Sequence, residues 1–108
     1  MTIIDLKDYS SPATLVMSGR PKGEELRAKL QLDSQDVQPD PVSVNVPEQI
    51  VSLNSSFFLG LFAKSVQRLG AEGFDKKYKF TCNQAVRVDI EAGKRKALIT
   101  TNPLPKLK

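Results

Sequence analysis

The sequence predicts an α/β fold in which helices pack on one small mixed sheet. Residues 42–46 alternate strictly between valine and polar side chains, which is typical of a strand with one buried face. Residues 55–69 instead repeat apolar side chains at helical spacing, which indicates an amphipathic helix. Strand-like and helix-like segments follow one another in the order β-β-α-β-α-β-α, and this order favours helices packed on a sheet.

Length and composition suit a single domain. The chain has 108 residues, of which 40% are hydrophobic and 26% charged, as in ordinary water-soluble globular proteins. No window approaches the ~18 apolar residues of a membrane span, and the first residues lack the features of a signal peptide. Cys82 is the single cysteine, so no internal disulfide can form. We therefore expect one domain over residues 1–99, a loose basic tail over 100–108 and a cytoplasmic location.

The first half of the chain predicts two short strands and a helix. The strands cover residues 2–6 and 13–17, which are rich in β-forming side chains, and a turn-like segment separates them. Pro21 suits the first turn of a helix that ends near Leu32. The segment 33–41 is polar and contains two prolines, so we expect a loop there.

The second half contains the strongest helix prediction. After the strand at 42–46 and a short extended piece at 50–53, residues 55–69 form a helix that ends at Gly70. One continuous face of this helix carries the apolar side chains Phe58, Phe62, Val66 and Leu69.

Residues 78–82 predict the next strand. Asn83 can cap a last helix over 84–98, with Val86, Ile90 and Ala97 inward. Gly93 weakens the helix prediction, and a strand over 86–90 is the alternative.

The residue types that most catalytic sites require are missing. The chain has no histidine, which removes the commonest general base and the commonest metal ligand. It also lacks zinc-ligand spacing and a glycine-rich phosphate loop. Ser56 and Cys82 are the best candidate nucleophiles, but neither has an identifiable base. We therefore predict a non-enzymatic protein with no catalytic residues, no metal site and no cofactor.

Positive charge is concentrated at the C-terminal end. The net charge is +4, and residues 71–108 carry nine Lys or Arg against four Asp or Glu. Lys94, Arg95 and Lys96 form the densest run and define a candidate basic patch. A nucleic-acid-associated protein is therefore an alternative function. The other interpretation is a solvated helix end, and the lack of tryptophan argues against base stacking.

Two segments together resemble a known family. Residues 23–27 give a Gly-Glu-x-x-Arg helix, and residues 55–62, read Ser-Ser-Phe-Phe-Leu-Gly-Leu-Phe, open the amphipathic helix after a hydrophobic strand. This pattern resembles the STAS-like family of small bacterial domains over residues 13–82. The second segment is also similar to the Asp-Ser-Ser-Gly centre of anti-sigma-factor antagonists, with Asn54 at the Asp position, Ser55 and Ser56 at the serines, and Phe57 at the Gly position.

The resemblance implies a STAS-like fold and a partner protein, such as a kinase or an anti-sigma-like factor. Ser56 matches the serine that a partner kinase phosphorylates in the antagonists. The predicted docking site is the start of helix 55–69, comprising Asn54, Ser55, Ser56, Phe57, Gly60 and Leu61. A capping role for the polar residues, worth about 1 kcal/mol, is the simpler interpretation.

Two questions about this site stay open in the sequence. Phe57 and Leu61 lie about 100° from the core stripe, so they are either interior contacts or exposed apolar anchors. Gly60 lets another backbone approach, inside the domain or on a partner. A phage- or plasmid-encoded protein that binds and inhibits a host factor is a further alternative.

Overall fold

A computed structural model describes residues 2–11 and 13–99, together with the backbone of Thr100. Its elements in chain order are β1 (Thr2–Asp5), a 3-10 helix (Leu6–Tyr9), β2 (Val16–Met17), α1 (Arg20–Leu30), α2 (Leu32–Asp36), β3 (Val42–Asn45), β4 (Ser52–Leu53), α3 (Ser55–Lys77), β5 (Tyr78–Thr81) and α4 (Gln84–Thr100). The prediction of a small α/β domain with helices packed on a sheet is confirmed.

The strands form two small sheets in which all described pairs are parallel. A three-stranded sheet has the order β1-β3-β5, and a two-stranded sheet pairs β2 with β4. The prediction of a mixed sheet is wrong. Neighbouring strands of the larger sheet are joined through helices rather than hairpins, and such crossovers return the chain in the same direction.

Helices cover one face of the three-stranded sheet. Val42 and Val44 on the central strand are fully buried, whereas Ser43 and Asn45 on the opposite face are partly accessible. Ile3 and Lys79 flank Ser43 on that open face and are exposed. Parallel sheets are usually covered on both faces, and the largely polar side chains here allow one face to meet water.

Helix α3 is the centre of the domain and lies between α1 and α4. Its predicted core face is confirmed, since Phe58, Phe62 and Val66 are buried. The ring of Phe62 packs 5.3 Å from Phe74 and 5.1 Å from Tyr78, centroid to centroid.

Gly70 has a φ of 78° and interrupts α3 at the position where the sequence predicted the end of the helix. A second helical segment follows Gly70 and ends at Lys77.

Two further element predictions change in the structure, and one open alternative is decided. The predicted loop 33–41 overlaps α2, and Leu32 at the start of that helix is fully buried. The predicted strand 13–17 is reduced to Val16–Met17. The predicted helix over 84–98 is confirmed as α4, and the alternative strand over 86–90 is wrong.

Of the predicted tail 100–108, Thr100 ends α4 and residues 101–108 lie outside the described residues. None of the helices in the described ranges is long and apolar enough to cross a membrane.

Candidate functional site

The predicted docking site begins with a side-chain cap on α3. The Asn54 Oδ1 accepts hydrogen bonds from the Ser56 backbone N–H at 2.9 Å and from the Ser56 hydroxyl at 2.7 Å. Asn54 is exposed and Ser56 is half-buried. An asparagine in this position satisfies an N–H that has no partner within the helix. The capping role is therefore filled by Asn54, which leaves Ser56 with a different task.

Ser56 connects the starts of two helices. The Gly19 N–H, at the N-cap of α1, donates to the Ser56 Oγ at 3.4 Å. Because α3 begins at Ser55, the Ser56 hydroxyl lies where the N-terminal ends of α1 and α3 meet. Both ends carry partial positive charge from the aligned peptide dipoles. A negative group on Ser56 would therefore be near two favourable helix ends.

Ser55 is turned towards α4. The Lys96 Nζ donates to the Ser55 Oγ at 3.1 Å, and Lys96 is otherwise exposed. One residue of the predicted basic patch thus lies at the predicted docking site. The sequence placed these two residues in separate candidate sites, since they are 41 positions apart.

The other three residues of the predicted docking site are interior. Phe57, Gly60 and Leu61 are buried, with only 2% of Phe57 exposed. A Cβ on Gly60 would lie 2.2 Å from the Arg20 carbonyl oxygen of α1. The interpretation of Phe57 and Leu61 as exposed anchors is therefore wrong, because their helix face packs within the domain. The close approach at Gly60 is made by α1.

A cleft opens beside this part of α3. Its volume is about 400 Å³, and residues of the 3-10 helix, the following loop, β2 and α1 line it together with the largely buried Phe57. Apolar side chains of Val16, Met17 and Leu26 lie among charged ones. The lining residues are Asp8, Tyr9, Ser10, Thr14, Val16, Met17, Ser18, Lys22, Glu25, Leu26, Lys29 and Phe57. The cleft is close to Ser56. Ser18 lines the cleft, and the next residue, Gly19, donates its N–H to the Ser56 hydroxyl.

Sequence reasoning missed a buried ionic cluster on the other side of α1. The Asp36 carboxylate has a fully buried side chain and accepts hydrogen bonds from Arg27, Ser65, Arg68 and Tyr78, at distances from 2.5 to 3.3 Å. Arg27 also binds Asp33 at 2.7 Å. All charges in the cluster are paired, so it ties α1, α2, α3 and β5 together.

The cluster changes the acid–base behaviour of its members. Burial, reinforced by the hydrogen bond to Asp36, raises the pKa of Tyr78 above its ordinary value. The hydrogen bond from Arg27 holds the pKa of the exposed Asp33 below its ordinary range. Tyr78 is therefore a neutral donor, and both carboxylates are acceptors for arginine, which is the pattern of a structural cluster.

The predicted basic patch is not one surface. Lys94 is 7% exposed, and its Nζ lies 2.6 Å from Asp75 and 3.0 Å from Glu91. Burial opposes its charge, but the hydrogen bonds to the two carboxylates outweigh burial and raise the pKa of Lys94. Arg95 and Lys96 are exposed. The patch prediction is wrong for Lys94, because its charge is compensated inside the domain.

The remaining candidate nucleophile is poorly activated. Cys82 is half-buried, and burial raises the pKa of its thiol. A raised pKa reduces the thiolate fraction at neutral pH, and thiolate is the reactive form. Within residues 2–11 and 13–99, no group of three or more Cys, Asp or Glu side chains is placed to hold a metal ion.

Comparisons of the chain with protein-family models, with curated proteins and with solved structures found no match. The likeness to the STAS-like family thus stays a prediction that depends on the residues quoted above.

Proposed function

We propose that this protein is a non-enzymatic regulatory module of STAS type that docks a partner protein at the start of α3. The docking surface consists of the accessible residues Asn54, Ser55 and Ser56 with the neighbouring loops. Phosphorylation of Ser56 switches the docking. The partner is a kinase, an anti-sigma-like factor or a host factor of comparable regulatory role.

One observation carries the proposal, namely the position of the Ser56 hydroxyl at the junction of two helices. It accepts a hydrogen bond from the Gly19 N–H and donates to the Asn54 Oδ1, and it is only half-buried. A residue that only capped α3 would not need a contact with α1. The contact couples the modification state of Ser56 to the surface that the two helix starts form together.

The same geometry explains how a phosphate could act without unfolding the domain. A phosphoserine carries about −1.5 to −2 charge at neutral pH, and helix N-termini stabilise such charge. Lys96, which contacts Ser55, adds a cation nearby. A partner that covered the same surface would have to desolvate the phosphate, which is costly when no compensating cation is brought in. Phosphorylation therefore leaves the fold intact and releases the partner.

The decisive experiment compares two serine-to-aspartate variants. Wild-type protein captures candidate partners from the source cell, and each candidate is purified and titrated by calorimetry. Ser56→Asp is expected to bind the partner at least about tenfold more weakly, which corresponds to about 1.4 kcal/mol. Its melting temperature should stay within a few degrees of wild type, because a carboxylate at a helix start is favourable. Ser56→Ala should retain most of the affinity.

Ser34→Asp is the matched control. Ser34 is exposed on α2, so the substitution adds the same charge away from the start of α3. The control should bind like wild type. Equal affinities of Ser56→Asp and Ser34→Asp for every purified partner would move the docking site elsewhere.

A further inference from the structure

The backbone of Val16 in β2 faces away from its neighbouring strand. The carbonyl oxygens of Leu15 and Met17 accept hydrogen bonds at 2.8 Å from the N–H groups of Val51 and Asn54, on the β4 side. Adjacent residues of a parallel strand direct their backbone groups to opposite sides of the strand. The N–H and C=O of Val16 therefore point to the other edge, where no described strand pairs with β2.

The cleft beside α3 runs along this edge. Neighbouring side chains of a strand point to opposite faces of the sheet, yet Val16 and Met17 both line the cleft. A cavity that borders the strand edge contacts both residues, which is the arrangement we infer here. Strand β2 covers Val16–Met17, roughly 7 Å at about 3.3 Å per residue. Its free edge therefore offers one outward-facing residue, Val16, for backbone pairing with another chain.

Two other strand edges in the domain are closed by side chains of α4. The Asp89 carboxylate accepts the Leu53 N–H of β4 at 2.9 Å, and the Arg87 guanidinium donates to the Phe80 carbonyl of β5 at 2.8 Å. These side-chain hydrogen bonds occupy backbone groups with which a strand of another protein could otherwise pair. No described side chain caps Val16 in this way, so β2 presents backbone groups at the base of an open cleft.

We propose that this cleft binds an extended segment of the partner protein, which adds as a strand to the β2 edge. The segment pairs its backbone with the N–H and C=O of Val16 and turns an apolar side chain towards Leu26 and Phe57. The wall formed by α1 presents the ammonium groups of Lys22 and Lys29. The segment is therefore expected to place an acidic side chain beside one of these lysines.

Glu25 lies one helical turn from each of these lysines, and Asp8 also lines the cleft, so the charges of the lining balance. Backbone pairing with Val16 is therefore the main element of recognition, and the acidic side chain of the segment is secondary to it. This inference depends on the proposed function for the existence of a partner. It adds the class of segment that is recognised and the backbone groups that recognise it.

The experiment uses a random twelve-residue peptide library displayed on phage and selected against the full chain. Selected peptides are synthesised and titrated against wild type, Val16→Pro and Val16→Thr. Proline removes one N–H that has no partner among the described residues, and edge strands accept proline. Threonine keeps the backbone and the β-branched shape. We expect Val16→Pro to weaken binding at least about tenfold and Val16→Thr to change it less than about threefold.

Lys22→Glu combined with Lys29→Glu should weaken the same peptides and leave the melting temperature close to wild type, since both lysines are exposed.

A scan of N-methylated peptides tests the pairing even if Val16→Pro fails to fold. Methylation of the amide that faces Val16 should abolish binding to wild type, whereas methylation of the next amide should not. The proposal is overturned if the library yields no peptide sensitive to Val16→Pro or to single N-methylation.

The two proposals fail separately. A captured partner that is lost on Ser56→Asp but unaffected by Val16→Pro would keep the docking site and reject the strand addition. A partner that responds to Val16→Pro alone would keep the strand addition and reject the Ser56 switch.

Discussion

Helix α3 contacts its two neighbouring helices in different ways. On the α1 side the two backbones touch, because a Cβ on Gly23 would lie 2.3 Å from the Phe57 carbonyl oxygen and one on Gly60 would meet Arg20 as closely. On the α4 side the contact is made by a side chain, since a Cβ on Gly93 would lie 2.4 Å from the Phe58 ring. The α1 side also carries the Asp36 cluster, whereas α4 meets α3 with aliphatic residues such as Val86, Ile90 and Ala97, which are fully buried.

The difference explains why the start of α3 suits a switch. Backbone contacts and a buried ionic cluster hold α1 and α3 at a fixed distance. Close-packed protein interiors have low compressibility, so this distance changes little under a local perturbation. A charge added to Ser56 is therefore expected to alter the surface at the junction and not the packing of the two helices. The α4 side can adjust more, because the contact there is with a side chain rather than with the backbone of another helix.

The largest effect is expected from the aromatic rings that α3 and β5 bring together. Phe62 is 1% exposed and contacts the rings of Phe58, Phe74, Tyr78 and Phe80. Phe62→Ala should lower the free energy of unfolding by about 3–5 kcal/mol, enough to unfold much of a marginal domain. Urea denaturation followed by circular dichroism measures this loss. A variant that melts within a degree or two of wild type would remove Phe62 from the core.

The ionic cluster should contribute somewhat less. Asp36→Asn keeps the size of the side chain but removes the charge that Arg27 and Arg68 share. Loss of charge-assisted hydrogen bonds should lower the free energy of unfolding by about 1.5–3 kcal/mol. Asp33→Asn is the control, because the Asp33 side chain is 68% exposed and should matter much less. If both variants lost the same free energy of unfolding, the burial of Asp36 would not increase its contribution to stability.

The two glycine contacts can be compared directly. Gly60→Ala should lower the free energy of unfolding by about 1–3 kcal/mol, because backbone atoms of α1 must move. Gly93→Ala should cost less, because it displaces the Phe58 side chain rather than the backbone of a neighbouring helix. Both variants gain the higher helix propensity of alanine, so the difference between them isolates the contact. A greater loss for Gly93→Ala would contradict the view that α1 is the more rigidly held neighbour.

The smallest effect concerns Tyr78 and depends on pH. Tyr78→Phe removes one of several donors to Asp36 and should cost about 1 kcal/mol near neutral pH. The pKa of Tyr78 is raised in the folded protein, so the unfolded chain releases the phenolic proton first as the pH rises past 10.0. Wild type loses stability in that range, and the phenylalanine variant lacks this loss.

The gap in the free energy of unfolding between wild type and Tyr78→Phe should therefore narrow above about pH 10. Urea titrations at several alkaline pH values measure it. A constant gap would mean that Tyr78 ionises equally in both states.

Local patterns in the sequence determined most of the elements and part of the site. The alternation at 42–46 and the apolar stripe of 55–69 correspond to β3 and to the first part of α3, because side-chain periodicity follows directly from backbone geometry. Asn54 before a helical segment predicted a polar helix start, and its cap is formed by neighbouring residues alone. These features need no distant contact.

Tertiary structure decided the rest. The parallel direction of the strands depends on how crossovers return the chain, and the burial of Phe57 depends on α1 covering that face of α3. The Asp36 cluster joins residues up to 42 positions apart, and Lys96 reaches Ser55 across 41. Charge runs along the sequence cannot reveal such pairs, because helical neighbours point in different directions and their partners come from other elements.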